Sequence, residues 1–137
     1  MKTEKPTTKI IAGKYKGKIL ELPSLDVTRS SKARLKESLF NVLQFDIIDK
    51  IFIESFAGSG SIGLEAISRG AKRAYFVELD RNSYQILLKN CKAVDMEKCQ
   101  TVQGNTFVQT PLFLEFLKNS KDEIVLYVDP PFDYRDG

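Results

Sequence analysis

Histidine is absent from the 137 residues. That removes Ser-His-Asp and Cys-His activation of a nucleophile, together with the usual zinc ligand sets. Any chemistry has to run on carboxylates, backbone groups and a bound cofactor. Cysteine occurs twice, at Cys91 and Cys99. Their spacing matches no metal or redox pattern, and each falls where a small buried apolar side chain would serve, so both are expected to be core thiols. No run of eighteen apolar residues is present, and the first eight residues are polar and lysine-bearing. The sequence therefore reads as neither membrane-spanning nor led by a signal peptide, hence as cytoplasmic. Internal repeats and low-complexity stretches are lacking as well.

What is there is unevenly distributed. Residues 1–45 carry ten Lys/Arg against four Asp/Glu, whereas residues 46–137 carry eleven against fourteen. A basic arm thus precedes a mildly acidic body, a distribution that attracts polyanions. In the arm, Lys9 to Ala12 and Lys18 to Leu22 suggest a hairpin turned at Gly13 and Gly17. Leu35, Leu39, Val42 and Leu43 mark a helix over roughly 31–45, with Ser30 or Ser31 as its cap. From Lys50 onward the pattern alternates: strand 51–53, helix from Ser61 to Gly70, strand 74–77, a helix capped by Asp80, and strand 101–103. A helix opened by Thr110 and Pro111 follows, with Leu112, Phe113, Phe116 and Leu117 as its buried side. The all-apolar run 124–128 reads as a strand at a sheet centre. Such β-α repetition with right-handed crossovers predicts an α/β fold with a parallel sheet covered by helices. The division expected is an N-terminal extension, 1–45, and a body, 46–137.

Glycine is sparse but concentrated where it can act. Glu54-Ser55-Phe56-Ala57-Gly58-Ser59-Gly60 follows a strand and opens a helix, where backbone amides approach a ligand closely. Glu78 ends the next strand twenty residues past Gly58, placed to accept hydrogen bonds from ribose hydroxyls. A nicotinamide oxidoreductase would show the same features. Glu54, a carboxylate just ahead of the turn, suits a cationic ammonium better than a pyrophosphate, unless it merely binds loop amides. Asp129-Pro130-Pro131-Phe132 separates the two readings. Consecutive prolines donate no amides and leave Asp129 and the Pro130 carbonyl as acceptors. An exocyclic NH₂ offers two donors to such a site, and Phe132 could stack on its base.

Together these segments resemble the amino-group type of class I methyltransferases, whose motifs run D-x-F-x-G-x-G and [DNS]-P-P-[YFW]. The stretches Ile10 to Lys18 and Arg34 to Asn41 look like the opening of the RsmD family, which methylates N2 of a guanine in bacterial 16S rRNA. The resemblance spans Lys9 to Phe132 and implies a Rossmann-like domain that binds S-adenosylmethionine and needs no metal. It implies cofactor contacts from Glu54, Phe56, Gly58, Ser59, Gly60, Glu78, Leu79 and Asn105, and catalysis by Asp129, Pro130 and Phe132. Its implied partner is 16S rRNA or a small-subunit assembly intermediate, with Lys14, Tyr15, Lys16, Lys18, Arg29 and Arg34 as RNA contacts. Arg29-Ser30-Ser31 departs from the family's Arg-Pro-Thr, and Gly104-Asn105 stands where Gly-Asp is common. Because family members continue beyond the proline motif, the chain is expected to be a truncated form. The fourth strand is then left with an exposed apolar edge open to self-association. An inactive RNA- or cofactor-binding fragment, or an adenine-N6 methyltransferase, are the alternatives.

Overall fold

The computed structural model describes residues 6–23 and 28–130, with side chains of the first long helix described from Arg34 onward. Two short strands, β1 (Thr7–Lys9) and β2 (Ile19–Glu21), pair antiparallel with Thr7 opposite Glu21. The first strand starts two residues and ends three residues earlier than expected. Gly17 N donates to Ile10 O at 2.8 Å and closes the turn at Ile10. Beyond that point the Ile11 and Ala12 amides bond the Glu65 carboxylate instead of a neighbouring strand.

Helix α1 (Thr28–Leu43) follows. It contains Ser30 and Ser31, so neither is its cap; the apolar spacing that revealed the helix starts only at Leu35 and carried no information about its first turns. Gln44, at φ 38°, breaks it.

The body alternates as anticipated: β3 (Ile51–Glu54), α2 (Ser61–Ser68), β4 (Arg73–Glu78), α3 (Arg81–Val94), β5 (Cys99–Gln103), α4 (Thr106–Leu117) and β6 (Ile124–Tyr127). All four strands are parallel, in the order β5-β4-β3-β6. The chain builds outward from β3 to β5 and then returns to lay β6 on the other side of β3. The apolar strand β6 is consequently at an edge rather than the centre among the described residues, and Leu126 and Val128 are exposed.

Strand alternation sends Phe52 to one face and Ile51 and Ile53 to the other. The first face carries the larger core, in which Phe52, Leu64, Ala66, Phe76 and Leu87 meet Ile10, Leu20 and Phe40 of the N-terminal segment. Ring-sized side chains at this depth each contribute roughly 1.5–3 kcal/mol of transfer free energy. The second face is thinner: Ile51, Ile53, Tyr75 and Leu117, with Phe113 and Leu114 against them. Asp80 caps α3 as expected, accepting from Ser83 N at 2.9 Å, and that bond holds its carboxyl below the ordinary value. Cys91 and Cys99 are free and buried. Contact between the thiols, with burial, pushes Cys91 up.

Helix α4 starts five residues earlier than Thr110 and Pro111 suggested. Asn105 is its cap, accepting from Phe107 N at 2.8 Å, and Pro111 lies inside it. Thr110 instead turns inward in a hydroxyl chain, 2.8 Å from Thr106 and 3.2 Å from Ser55. The shift rotates the apolar side: Leu117 is buried and Phe113 partly so, but Leu112 and Phe116 are exposed.

α1 reaches α2 through two side-chain contacts. Lys36 Nζ lies 3.5 Å from Glu65 Oε1, and four residues further along both helices the Arg69 guanidinium sits 4.9 Å from the Phe40 ring centre. No helix among the described residues is long and apolar enough to cross a membrane.

Candidate active site

Each parallel strand delivers one element to the same edge. β3 ends in Glu54, which is buried and accepts a hydrogen bond from Gly63 N through Oε1 at 2.9 Å. The chain then turns through Ser55, whose amide donates to Tyr127 O, and Ala57, whose amide donates to Val77 O. Gly60 ends the turn at φ 82°, a left-handed backbone that glycine adopts without strain, and a Cβ there would have to displace the tip of Leu87. Gly58 faces open space. Its amide donates to Glu78 Oε1 at 2.6 Å, and the other oxygen of Glu78 accepts from Asp80 N at 2.9 Å. The acidic residue that ends β4 is thereby joined to the turn that follows β3.

Leu79, next to Glu78, is 68% exposed, an apolar surface at the mouth of the turn. Asn105 lies beyond the end of β5, and the preceding Gly104 amide donates to Glu78 O at 3.0 Å. Asn105 Oδ1 is taken by its capping role, while the residue itself is exposed. Ser59 turns inward: its Oγ accepts from Ser61 N and its carbonyl accepts from Asn90 Nδ2. The Phe56 ring meets Phe107 edge-on at 6.1 Å.

β6 brings the acceptor half. Tyr127 pairs with Glu54 across the strands, so Asp129 and Pro130 follow the end of β6 beside the turn that holds Gly58. Strands in a sheet lie about 4.8 Å apart, which makes the two halves neighbours on one crevice. Tyr127 escaped the sequence reading. Burial, with the nearby negative charges of Asp129 and Glu54, pushes the pKa of its hydroxyl up to about 12. Pro131 and Phe132 lie outside the described residues.

The basic residues fall into two groups. Arg34 is exposed on α1, and Arg29 is in the first turn of that helix, its side chain outside the description. Lys14, Lys16 and Lys18 are exposed on the hairpin. The loop that carries them is fastened to the far end of α2: Lys14 N donates to Ser68 O and Tyr15 N to Ser68 Oγ, which itself donates to Ala12 O. Tyr15 is half-buried, with its hydroxyl donating to Asp95 and Lys14 over its ring. Eight helical residues separate this anchorage from the glycine turn, roughly 12 Å along α2.

Three further residues were missed. Glu65, fully buried, accepts from Ile11 N, Ala12 N and Arg69 Nε and pairs with Lys36. Ser68 fastens the loop. Asn90 exchanges two hydrogen bonds with the Glu21 backbone and donates to Ser59 O, tying the hairpin to the glycine turn. The available signal was polarity in the wrong place: a glutamate inside an otherwise apolar helix, and an asparagine one position from the buried stripe of α3.

Known proteins resemble this chain. The family described as "Conserved hypothetical protein 95" matches residues 8–137. Ribosomal RNA small subunit methyltransferase D of Haemophilus influenzae is 37% identical over 95% of this chain and 66% of its own length. The Escherichia coli protein of the same name is 35% identical over 90% and 60%. A solved Escherichia coli structure described as a "Putative methyltransferase" superposes with a TM-score of 0.73 at 35% identity, covering 96% of this chain and 67% of that one. The chain thus spans about two thirds of the length of the relatives it matches.

Proposed function

From the premise that the chain belongs to the RsmD family of class I methyltransferases, we propose that it transfers a methyl group from S-adenosylmethionine to the exocyclic N2 amine of a guanine in 16S rRNA. The observation that carries the reading is the meeting of two unlike half-sites at one sheet edge. The Gly58 turn with Glu78 forms one, and Asp129 with Pro130, on the adjacent strand, forms the other.

The first half-site suits the cofactor. A turn open at Gly58 admits close approach. Glu78 has lone pairs beyond the two it gives to backbone amides and can accept from ribose hydroxyls, while Leu79 offers an apolar surface and Asn105 a polar edge to an adenine. Bound there, S-adenosylmethionine supplies a methyl already activated by the adjacent sulfonium. Asp129 and the Pro130 carbonyl accept the two amine hydrogens and aim the nitrogen lone pair in line with that methyl. Orientation of this kind supplies up to ~7–11 kcal/mol of a barrier. The Asp129 carboxylate offsets the positive charge that develops on nitrogen. Phe132 is assigned to stack on the base.

RNA contacts fall to Arg29 and Arg34 on α1 and to Lys14, Lys16 and Lys18 on the hairpin loop, with Tyr15 bracing the loop. The partner is 16S rRNA, free or in an assembling small subunit.

The test is titration calorimetry with S-adenosylmethionine, followed by transfer of labelled methyl to 16S rRNA. Asp129→Ala is expected to abolish transfer and leave cofactor binding within a few-fold. Failure of the wild type to bind S-adenosylmethionine overturns the assignment. Binding without transfer favours a second reading, a cofactor-binding part of a longer enzyme, which the coverage of its relatives supports.

A further inference from the structure

At the opposite end of α2 from the glycine turn lies an open groove of about 330 Å³, lined by Gly13, Phe40, Asn41, Gln44, Phe45, Ile48 and Arg69. Its position excludes the base being methylated, since the length of α2 stands between them. We propose that this groove is a second RNA-binding site, which takes one unstacked nucleotide of the strand outside the methylation pocket. The inference rests on the assignment of an RNA substrate.

The lining offers counterparts to an unpaired base. Phe45 is 78% exposed, an aromatic face at the groove wall with no core role to account for it. Base stacking on such a ring is tolerant of sequence and strong for its size. Asn41 and Gln44 each present an amide donor and an acceptor, the pattern that reads the edge of an unpaired base. The Arg69 guanidinium rests on the Phe40 ring with its Nε committed to Glu65 at 2.7 Å, which fixes its plane at the groove.

Charge selects a polyanion over a protein segment. The loop from Lys14 to Lys18 holds three lysines and no acid, and among the described residues none of the three pairs with a carboxylate. Two acids, Asp46 and Asp49, adjoin the lining residues Phe45 and Ile48, fewer than the three lysines of the loop that follows Gly13. The loop is already held by Glu65 and Ser68, so a strand laid along it does not have to order it on binding.

The experiment is fluorescence anisotropy with a single-stranded RNA of about thirty nucleotides and with its duplex, comparing wild type with Phe45→Ala and Gln44→Ala. Both side chains are exposed, and unchanged thermal midpoints verify folding. Phe45→Ala is expected to weaken single-strand binding by roughly tenfold and duplex binding much less. Single-strand affinity within twofold of wild type overturns the proposal, as does an equal loss on the duplex. A dimer in sedimentation that disappears in Phe45→Ala also overturns it, by giving the groove to a second copy. Loss of methyl transfer in the wild type would count against the proposed reaction alone, because the single-strand comparison is read without it.

Discussion

Two glycines of the hairpin allow a controlled test of how the basic loop is held. Gly13 and Gly17 have nearly the same backbone, at φ 93° and 88°, so alanine meets similar left-handed strain at both, about 1–2 kcal/mol. Their surroundings differ completely. A Cβ on Gly17 meets nothing within 4 Å, whereas one on Gly13 would stand 2.0 Å from Ser68 O and 2.5 Å from its carbonyl carbon. Backbone cannot yield there by a rotamer change, so the loop must move off α2. Overpacking of this kind costs about 1–3 kcal/mol. The movement also loosens Lys14 N to Ser68 O and Tyr15 N to Ser68 Oγ, each worth about 1 kcal/mol. Gly13→Ala should therefore destabilise by about 4–7 kcal/mol, or release the hairpin, against about 1–2 for Gly17→Ala. Urea denaturation gives the difference, and hydrogen exchange at the Ile11 and Ala12 amides reports release directly. Equal midpoints for the two variants, with protected amides in both, would refute the docking of the loop on Ser68.

Other expectations follow from single side chains. Glu78→Ala should weaken S-adenosylmethionine binding by tenfold or more in titration calorimetry, about 1.4 kcal/mol or above; an unchanged dissociation constant removes Glu78 from the cofactor site. Burial lowers the pKa of Lys36 below 10.5, against the opposing pull of Glu65. Between that lowered value and 10.5 the unfolded chain binds a proton that the folded chain does not. Wild-type stability should therefore rise with pH relative to Lys36→Met across this window, and a constant difference in urea midpoints would contradict it. The open edge of β6, with Leu126 and Val128 exposed, should give concentration-dependent association in sedimentation, and a monodisperse monomer would count against it.

The sequence was most legible where pattern and geometry coincide. The strand periods, the Asp80 cap and the glycine turn after β3 all reflect local rules, and all stand in the structure. α4 shows the limit. Thr110 and Pro111 make a good helix opening locally, but Asn105 makes one too, and the hydroxyl bonds of Thr110 to Ser55 and Thr106 decide between them. The position of β6 next to β3 follows from a return crossover that no local signal encodes. Glu65, Lys36 and Asn90 look like surface residues by type; their burial depends on the hairpin lying across α2 and α3, a contact between segments more than fifty residues apart. Tyr127 was read only as strand, because its perturbation comes from burial and from the charges of Asp129 and Glu54 that the fold brings near it.

The placing of β6 also has a consequence for synthesis. Ile51 of β3 pairs with Ile124 of β6, seventy-three positions later by subtraction. At roughly 5–20 residues per second, β3 emerges from the ribosome about 4–15 s before its second neighbour exists. Throughout that interval one side of the middle of the sheet is a bare ladder of amides and carbonyls flanked by Phe52 and Ile53. Whatever shields a nascent chain from its neighbours on a polysome has this strand to cover first.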